Sequence, residues 1–389
     1  MSLSPRSPEE AGRAATPLEL FFDLCFVVAI AQAAAQLHHA EVEHHVAPGV
    51  VSYLMIFFAI WWAWMNVTWF ASAYDSDDTW YRLAVFVQIA GVLAIAAAIP
   101  AAFDDRDFSG VVLGYVIMRL AMVSLWLRAA AGDPRRRHTC VRYAGGIAVL
   151  QIGWVLWLLV PASLQLAGFL TMMLLELALP IWAEQVGRTP WHPHHIAERY
   201  GLLTIIVLGE GILSILVAFQ VAGGDRTAEL VLTGVGGVVI VCSMWWLYFS
   251  KPAATTMSRA RTAFEAGSPR RAFLWGYGHY FIFASAAAVG AGLAAAVDLI
   301  AAEGVTDSLA VAVPLALFIV LVALLPGLAP IRTQATVSAI AAAALVAGAA
   351  IGLPLLLLSL IIPAQLLILA GVGGRASSST LPAHAAGDA

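Results

Sequence analysis

"LLTIIVLGEGILSILVAFQ" (202–220) runs for nineteen residues with a single charged side chain. A helix of that length spans roughly 28 Å, close to the thickness of a bilayer's hydrocarbon core. A transmembrane β-strand would alternate polar and apolar residues over about ten positions, and this stretch does not. The rest of the chain repeats the theme. It is 61% hydrophobic and 11% charged, whereas soluble domains carry about 25% charged residues. So few charges cannot coat a water-exposed surface, and the missing surface faces lipid. The fold class that follows is all-α, a polytopic transmembrane helix bundle.

Apolar runs and breaking prolines predict about twelve helices, at 17–37, 48–70, 80–100, 109–130, 142–160, 163–184, 198–221, 228–250, 272–297, 309–325, 333–351 and 354–371. Pro161 and Pro354 mark the tightest breaks. With the N-terminus inside, 17 of the 20 basic residues fall in inner segments and helix ends. Arg106 and Arg226 fall outside, and Arg119 lies within a helix. This asymmetry orients a multi-pass membrane protein with both termini cytoplasmic. Residues 1–15 and 372–389 lack a long apolar run and read as disordered tails.

The chain also resembles itself. "ELFFDLCFVVAI" (19–30) and "ERYGLLTIIVLG" (198–209) both open with Glu, followed two residues later by an aromatic. Trp61-Trp62 and Trp245-Trp246 close the second and eighth helices. The organisation this suggests is a parallel 6+6 repeat: 16–184, a His-rich linker at 185–197, and 198–371.

Two motifs carry a likeness to a known family. Glu19, Leu20, Phe21, Phe22, Asp23 and Leu24 are similar to an "ELFFDLVFVFA"-type motif. Glu198, Arg199, Gly201, Leu202, Ile205, Ile206, Leu208, Gly209 and Glu210 are similar to an "ERxGLxxIIxLGE"-type motif. In order and over most of residues 16–371, they resemble the bacterial low temperature requirement A (LtrA) family. The resemblance implies an integral membrane protein of a family named for growth in the cold, and it assigns no chemistry. Phe21-Phe22-Asp23 is also similar to the F-S-D motif of the two-repeat, six-helix lysosomal potassium channels.

Charges within apolar helices are costly, about 2.5–3.5 kcal/mol at a helix centre, and mark partners or hydrated cavities. Thr16-Pro17-Leu18-Glu19 fits a capping box, with Thr16 at the N-cap and Glu19 three residues on. Asp23 is too deep to cap and needs an interior partner, for which Arg119 is the first choice. Glu210 is flanked by Gly209 and Gly211, which would let backbones approach closely or let the helix break around an ion. Glu176 precedes Pro180 by one turn. Asp23, Arg119, Glu176 and Glu210 are therefore the expected midplane site for a small solute, a cation or a proton.

Two histidine clusters, "LHHAEVEHHV" (37–46) and "WHPHHIAERY" (191–200), offer His38, His44, His194 and Glu198 as weak metal candidates. Polar filler is the better explanation of both clusters, with pH sensing as a further alternative. Cys25, Cys140 and Cys242 form no disulfide or zinc pattern. No phosphate-binding or nucleophile-elbow motif occurs, so no cofactor is expected, and the expected partners are the bilayer and a transported species rather than nucleic acid. A secondary transporter or ion pathway is the leading expectation. The alternatives are a membrane-embedded enzyme acting on lipid, a cation channel of the two-repeat type, and a non-catalytic cold-stress membrane factor.

Overall fold

The computed structural model describes residues 3–10, 12–221, 227–250, 253–266, 268, 270–304, 307–324 and 332–378. The described regular structure is helical throughout. Six helices form the first half: α1 (Pro17–Val42), α2 (Val46–Tyr74), α3 (Thr79–Asp104), α4 (Ser109–Gly132), α5 (Arg137–Trp157) and α6 (Gln165–Ala183). Then come α7 (Pro193–Val221), α8 (Thr227–Phe249), α9 (Ala253–Glu265), α10 (Arg270–Ala302), α11 (Leu309–Leu324) and α12 (Arg332–Ala350). The chain closes with α13 (Leu355–Ser359) and α14 (Ile361–Ser378). Among the described residues ten helices are long and apolar enough to cross a membrane, and Leu309–Leu324 and Leu355–Gly371 are shorter apolar segments.

These segments match the twelve expected, with three differences. The expected helix 354–371 is divided at Leu360 into α13 and α14. α7 begins at Pro193 rather than 198, because Pro193 suits a first helical position and the His192 side chain accepts the His195 N–H at 3.3 Å. α9 was not expected. Its apolar and charged residues alternate around the helix, so it lacks the continuous apolar run that signals a span. Arg261 fixes it to the preceding linker by donating to the Trp191 carbonyl and lying over the Trp191 ring, 5.1 Å from its centroid.

Within the first half, α1 packs on α2 and α3, α3 on α4, α4 on α5, and α5 on α6. In the second, α7 packs on α8 and α10, α10 on α11, α11 on α12, and α12 on α14. α1 and α10 sit at the centre, where they touch each other across the two sets, and α1 also touches α7. The interior is rich in aromatics, with Trp62, Trp64, Tyr53 and Phe57 fully buried. Leu113, Val149, Ile152, Leu174 and Ile340 point outward, as a lipid-facing surface requires.

The N-terminal segment is not a free tail. Leu3 is buried, its N–H donates to the Arg128 carbonyl, and the Arg6 N–H donates to the Ala73 carbonyl. Arg13 donates to the Ala71 carbonyl. The polar composition that suggested disorder instead supplies hydrogen bonds to the exposed carbonyls that end α2 and α4. α14 continues to Ser378, and residues 379–389 of the expected C-terminal tail lie outside the described residues.

Candidate functional site

The helix starts of α1 and α7 determine the site. Thr16 accepts the Glu19 N–H and Glu19 accepts the Thr16 N–H at 2.8 Å, completing the expected capping box. Pro17 and Pro193 each open a helix. Two residues on stand Glu19 and His195, and four further stand Asp23 and Arg199. These groups meet across the α1–α7 contact. Glu19 Oε1 is 3.0 Å from His195 Nε2 and 2.9 Å from Arg199 Nη1. Arg199 donates through Nη2 to Asp23 Oδ1 at 2.6 Å and through Nε to Asp23 Oδ2 at 2.9 Å. The indole of Trp64 on α2 donates to Asp23 Oδ1 at 2.6 Å. Asp23, His195 and Arg199 are fully enclosed.

Asp23 therefore has its interior partner, but it is Arg199 rather than Arg119. Sequence reasoning had counted Arg199 among the inner basic residues that orient the chain. An earlier start to α7 carries Arg199 about 9 Å from the first helical residue, too deep to lie at the surface. The spacing His195–Arg199, one turn apart and in step with Glu19–Asp23, was the available signal.

Arg119 belongs to a second cluster, inside the first half. Its Nη2 donates to Glu176 Oε2 at 2.9 Å. Glu176 also accepts from Trp62 at 2.8 Å, from Tyr115 at 3.0 Å and from Trp154 at 3.1 Å. One arginine matches one carboxylate here, and four donors surround that carboxylate. The arrangement is a closed clasp joining α2, α4, α5 and α6.

Glu210 joins neither cluster. It is half-buried and makes no hydrogen bond or ion pair among the described residues. It lies roughly 16 Å along α7 from Arg199. The expected single midplane constellation of Asp23, Arg119, Glu176 and Glu210 is thus replaced by two separate networks and an isolated glutamate. Nor is α7 broken at the glycines, since it is continuous from Pro193 to Val221. Gly211 is a packing residue: a Cβ on Gly290 of α10 would lie 2.8 Å from the Gly211 Cα. Gly209 faces open space.

The histidine candidates disperse. His38 Nε2 is 2.9 Å from Asp298 Oδ2 and ties α1 to α10. His44 and His194 are exposed, and Glu198 accepts the Ala15 N–H at 3.1 Å. No group of metal-ligating side chains converges among the described residues.

Around the helix starts, the linker and tail form a polar cover. The His192 ring donates from Nε2 to the Glu10 carbonyl at 2.9 Å, leaving Nδ1 as the acceptor that caps α7. Burial holds His192 below its ordinary pKa. The Arg6 hydrogen bond holds the Glu10 carboxyl below the usual carboxylate range, while burial pushes Asp75 above it.

The family model of the bacterial low temperature requirement A protein (LtrA) matches residues 14–372, nearly the whole helical bundle. The chain belongs to the LtrA family. A protein of Rhizobium meliloti (strain 1021), described as uncharacterized, is 27% identical to it over 276 residues. That match covers 67% of this chain and 64% of the relative, so the chain spans just under two thirds of the relative's length. No solved structure matches. Both LtrA-like motifs fall on the α1–α7 crossing: Glu19 and Asp23 come from the first, and Arg199 from the second.

Proposed function

We propose that this LtrA-family protein is a secondary transporter or ion pathway in which the α1–α7 network is a proton- or cation-responsive joint between two six-helix halves. The observation that carries this reading is the charge count at the crossing. Two carboxylates, Glu19 and Asp23, share one arginine, and His195, Trp64 and the Thr16 N–H complete their contacts. Arginine keeps its charge. A proton or a small cation would offset the surplus negative charge. Glu19 Oε1, Arg199 Nη1 and His195 Nδ1 are buried without a protein hydrogen bond, although the first two are 2.9 Å apart. In the second cluster the unpartnered buried atoms, Arg119 Nε and Nη1, are both donors, and the Glu176 carboxylate is surrounded by four.

The neighbour pattern of the helices supports the duplication. α1, α2, α3, α4, α5 and α6 correspond in packing order to α7, α8, α10, α11, α12 and α13–α14. The register differs from that read in the sequence. Both cross-pairs, Glu19–His195 and Asp23–Arg199, span 176 residues, so equivalent positions face each other, as a two-fold relation along the membrane normal would require. Sites of duplicated transporters lie where the halves meet. The skew of basic residues supports a location in the bacterial cytoplasmic membrane with both termini inside.

Reconstitution into liposomes loaded with a pH-sensitive dye tests the proposal. Imposed ion or solute gradients should move protons through the wild type. Glu19→Gln, with the protein still monodisperse, should abolish that movement. If wild-type liposomes behave like empty ones under every gradient tried, the proposal fails.

A further inference from the structure

At the end of the bundle opposite the network, a cavity of about 430 Å³ opens between α1, α2, α10 and α11. Its walls are apolar, formed by residues such as Val50, Leu54, Phe281, Val313 and Leu317. Several of these are half-exposed on the lipid-facing surface, so the cavity is a lateral groove reachable from the bilayer. Tyr53 closes its floor by donating to the Ala284 carbonyl at 2.7 Å. Its polar lining includes Glu41, Asp307 and His44, and among the described residues contains no lysine or arginine.

Glu41 decides what the groove would accept. It is 8% exposed, and its Oε2 has no hydrogen-bond partner. A buried carboxyl with an unused acceptor is costly in its charged form unless a cation pairs with it. Asp307, whose Oδ1 accepts the Leu309 N–H at 2.9 Å, adds a second negative group to the same lining. The apolar walls call for an apolar body, and the acidic end calls for a positive charge. Phospholipid fits poorly, because its phosphate would stand against two carboxylates with no basic residue to receive it.

We propose that this groove binds a lipophilic organic cation, its charge against Glu41 and Asp307 and its apolar body against the walls of α2, α10 and α11. The site lies some 27 Å along α1 from Asp23 and does not depend on the transport reading.

The test uses the purified full-length protein in a neutral maltoside detergent with radiolabelled tetraphenylphosphonium. Tetraphenylborate, of similar shape and opposite charge, is the control. Saturable binding of the cation is expected, and no saturable binding of radiolabelled tetraphenylborate measured in separate samples. Glu41→Gln should weaken binding by at least about tenfold, and Asp307→Asn by less. Val313→Trp keeps both carboxylates but fills the groove, and should abolish binding. It decides the matter if Glu41→Gln fails to fold. Equal saturable binding of tetraphenylborate in separate samples, absence of saturable binding of the cation, or unchanged affinity in Val313→Trp would each overturn the assignment.

Discussion

Asp23 and Arg199 occupy the same place in two helices: each is the seventh residue from an opening proline, and their side chains meet through two hydrogen bonds of 2.6 and 2.9 Å. Removing one partner from a buried pair leaves an uncompensated charge, at a cost of about 3–5 kcal/mol. Arg199 also lies 2.9 Å from Glu19. Arg199→Leu should therefore be more destabilising than Asp23→Leu, because it strands two carboxylates. The double variant should lose much less than the sum of the two. Thermal unfolding of detergent-solubilised protein, followed by size-exclusion fluorescence, measures the cycle.

The Arg119–Glu176 clasp should respond asymmetrically to mutation. A carboxyl that loses its arginine can take up a proton and still be hydrogen-bonded by Tyr115, Trp62 and Trp154. An arginine that loses its carboxylate cannot shed its charge. Glu176→Leu should thus lower the melting temperature more than Arg119→Leu. If this clasp is static, proton movement in liposomes should survive in whichever variant still folds.

Glycines in and facing the "LGEGI" stretch separate packing from chemistry. Gly290→Ala would press a Cβ to 2.8 Å from the Gly211 backbone, and should cost about 1–3 kcal/mol as overpacking. Gly211→Ala places its Cβ 3.5 Å from Gly290, an ordinary contact, and Gly209→Ala meets nothing. Both should leave stability almost unchanged. A large loss of stability in Gly209→Ala would show that this position packs against something.

The N-terminal segment should be released by a single methyl group, and the start of α7 should loosen in acid. A Cβ on Gly132 would fall within the Leu3 carbonyl, so Gly132→Ala should displace the segment. His192 has a pKa held below its ordinary 6.5, chiefly by burial and also by the charges of Arg13, His194 and His195. Both its forms donate from Nε2 to the Glu10 carbonyl, but only the neutral form accepts the His195 N–H at Nδ1 and so caps α7. That contribution is therefore complete above pH 6.5 and is lost as the pH falls from there through the folded-state value. Limited proteolysis of the linker ahead of Pro193 should accelerate over that interval in the wild type, whereas cleavage within residues 3–16 should already be fast at neutral pH in Gly132→Ala.

Asp78 offers a contrast at the start of α3. Burial raises its pKa, but the Arg128 hydrogen bond and the Tyr81 N–H outweigh this and bring it to about 2. Its support for the helix is present above the ordinary carboxylate pKa and is lost as the pH falls towards 2. Asp78→Ala should cost about 1 kcal/mol at neutral pH, the usual value of an N-cap. That difference should narrow in acid, which melts at pH 7 and pH 3 would measure.

By itself, the sequence determined the membrane-spanning helical class, the placement of the spans, the capping box of Thr16 and Glu19, and the family. Each of these rests on local pattern: apolar length against bilayer thickness, and the spacing of capping residues. The two LtrA-like motifs also pointed to the right pair of helices. Tertiary structure decided which charges meet. Asp23 and Arg119 looked like partners because each needed one, but need does not specify direction. Arg199 and Glu176 satisfied them from helices far apart in sequence. Likewise Glu210, the deepest-looking charge in its helix, faces neither network, and Glu41, which read as part of a polar loop, is buried in an apolar groove. The physical reason is common to all four. Depth along a helix follows from counting residues, but the direction a side chain faces depends on which neighbouring helix packs against it, and that is fixed only when the bundle assembles.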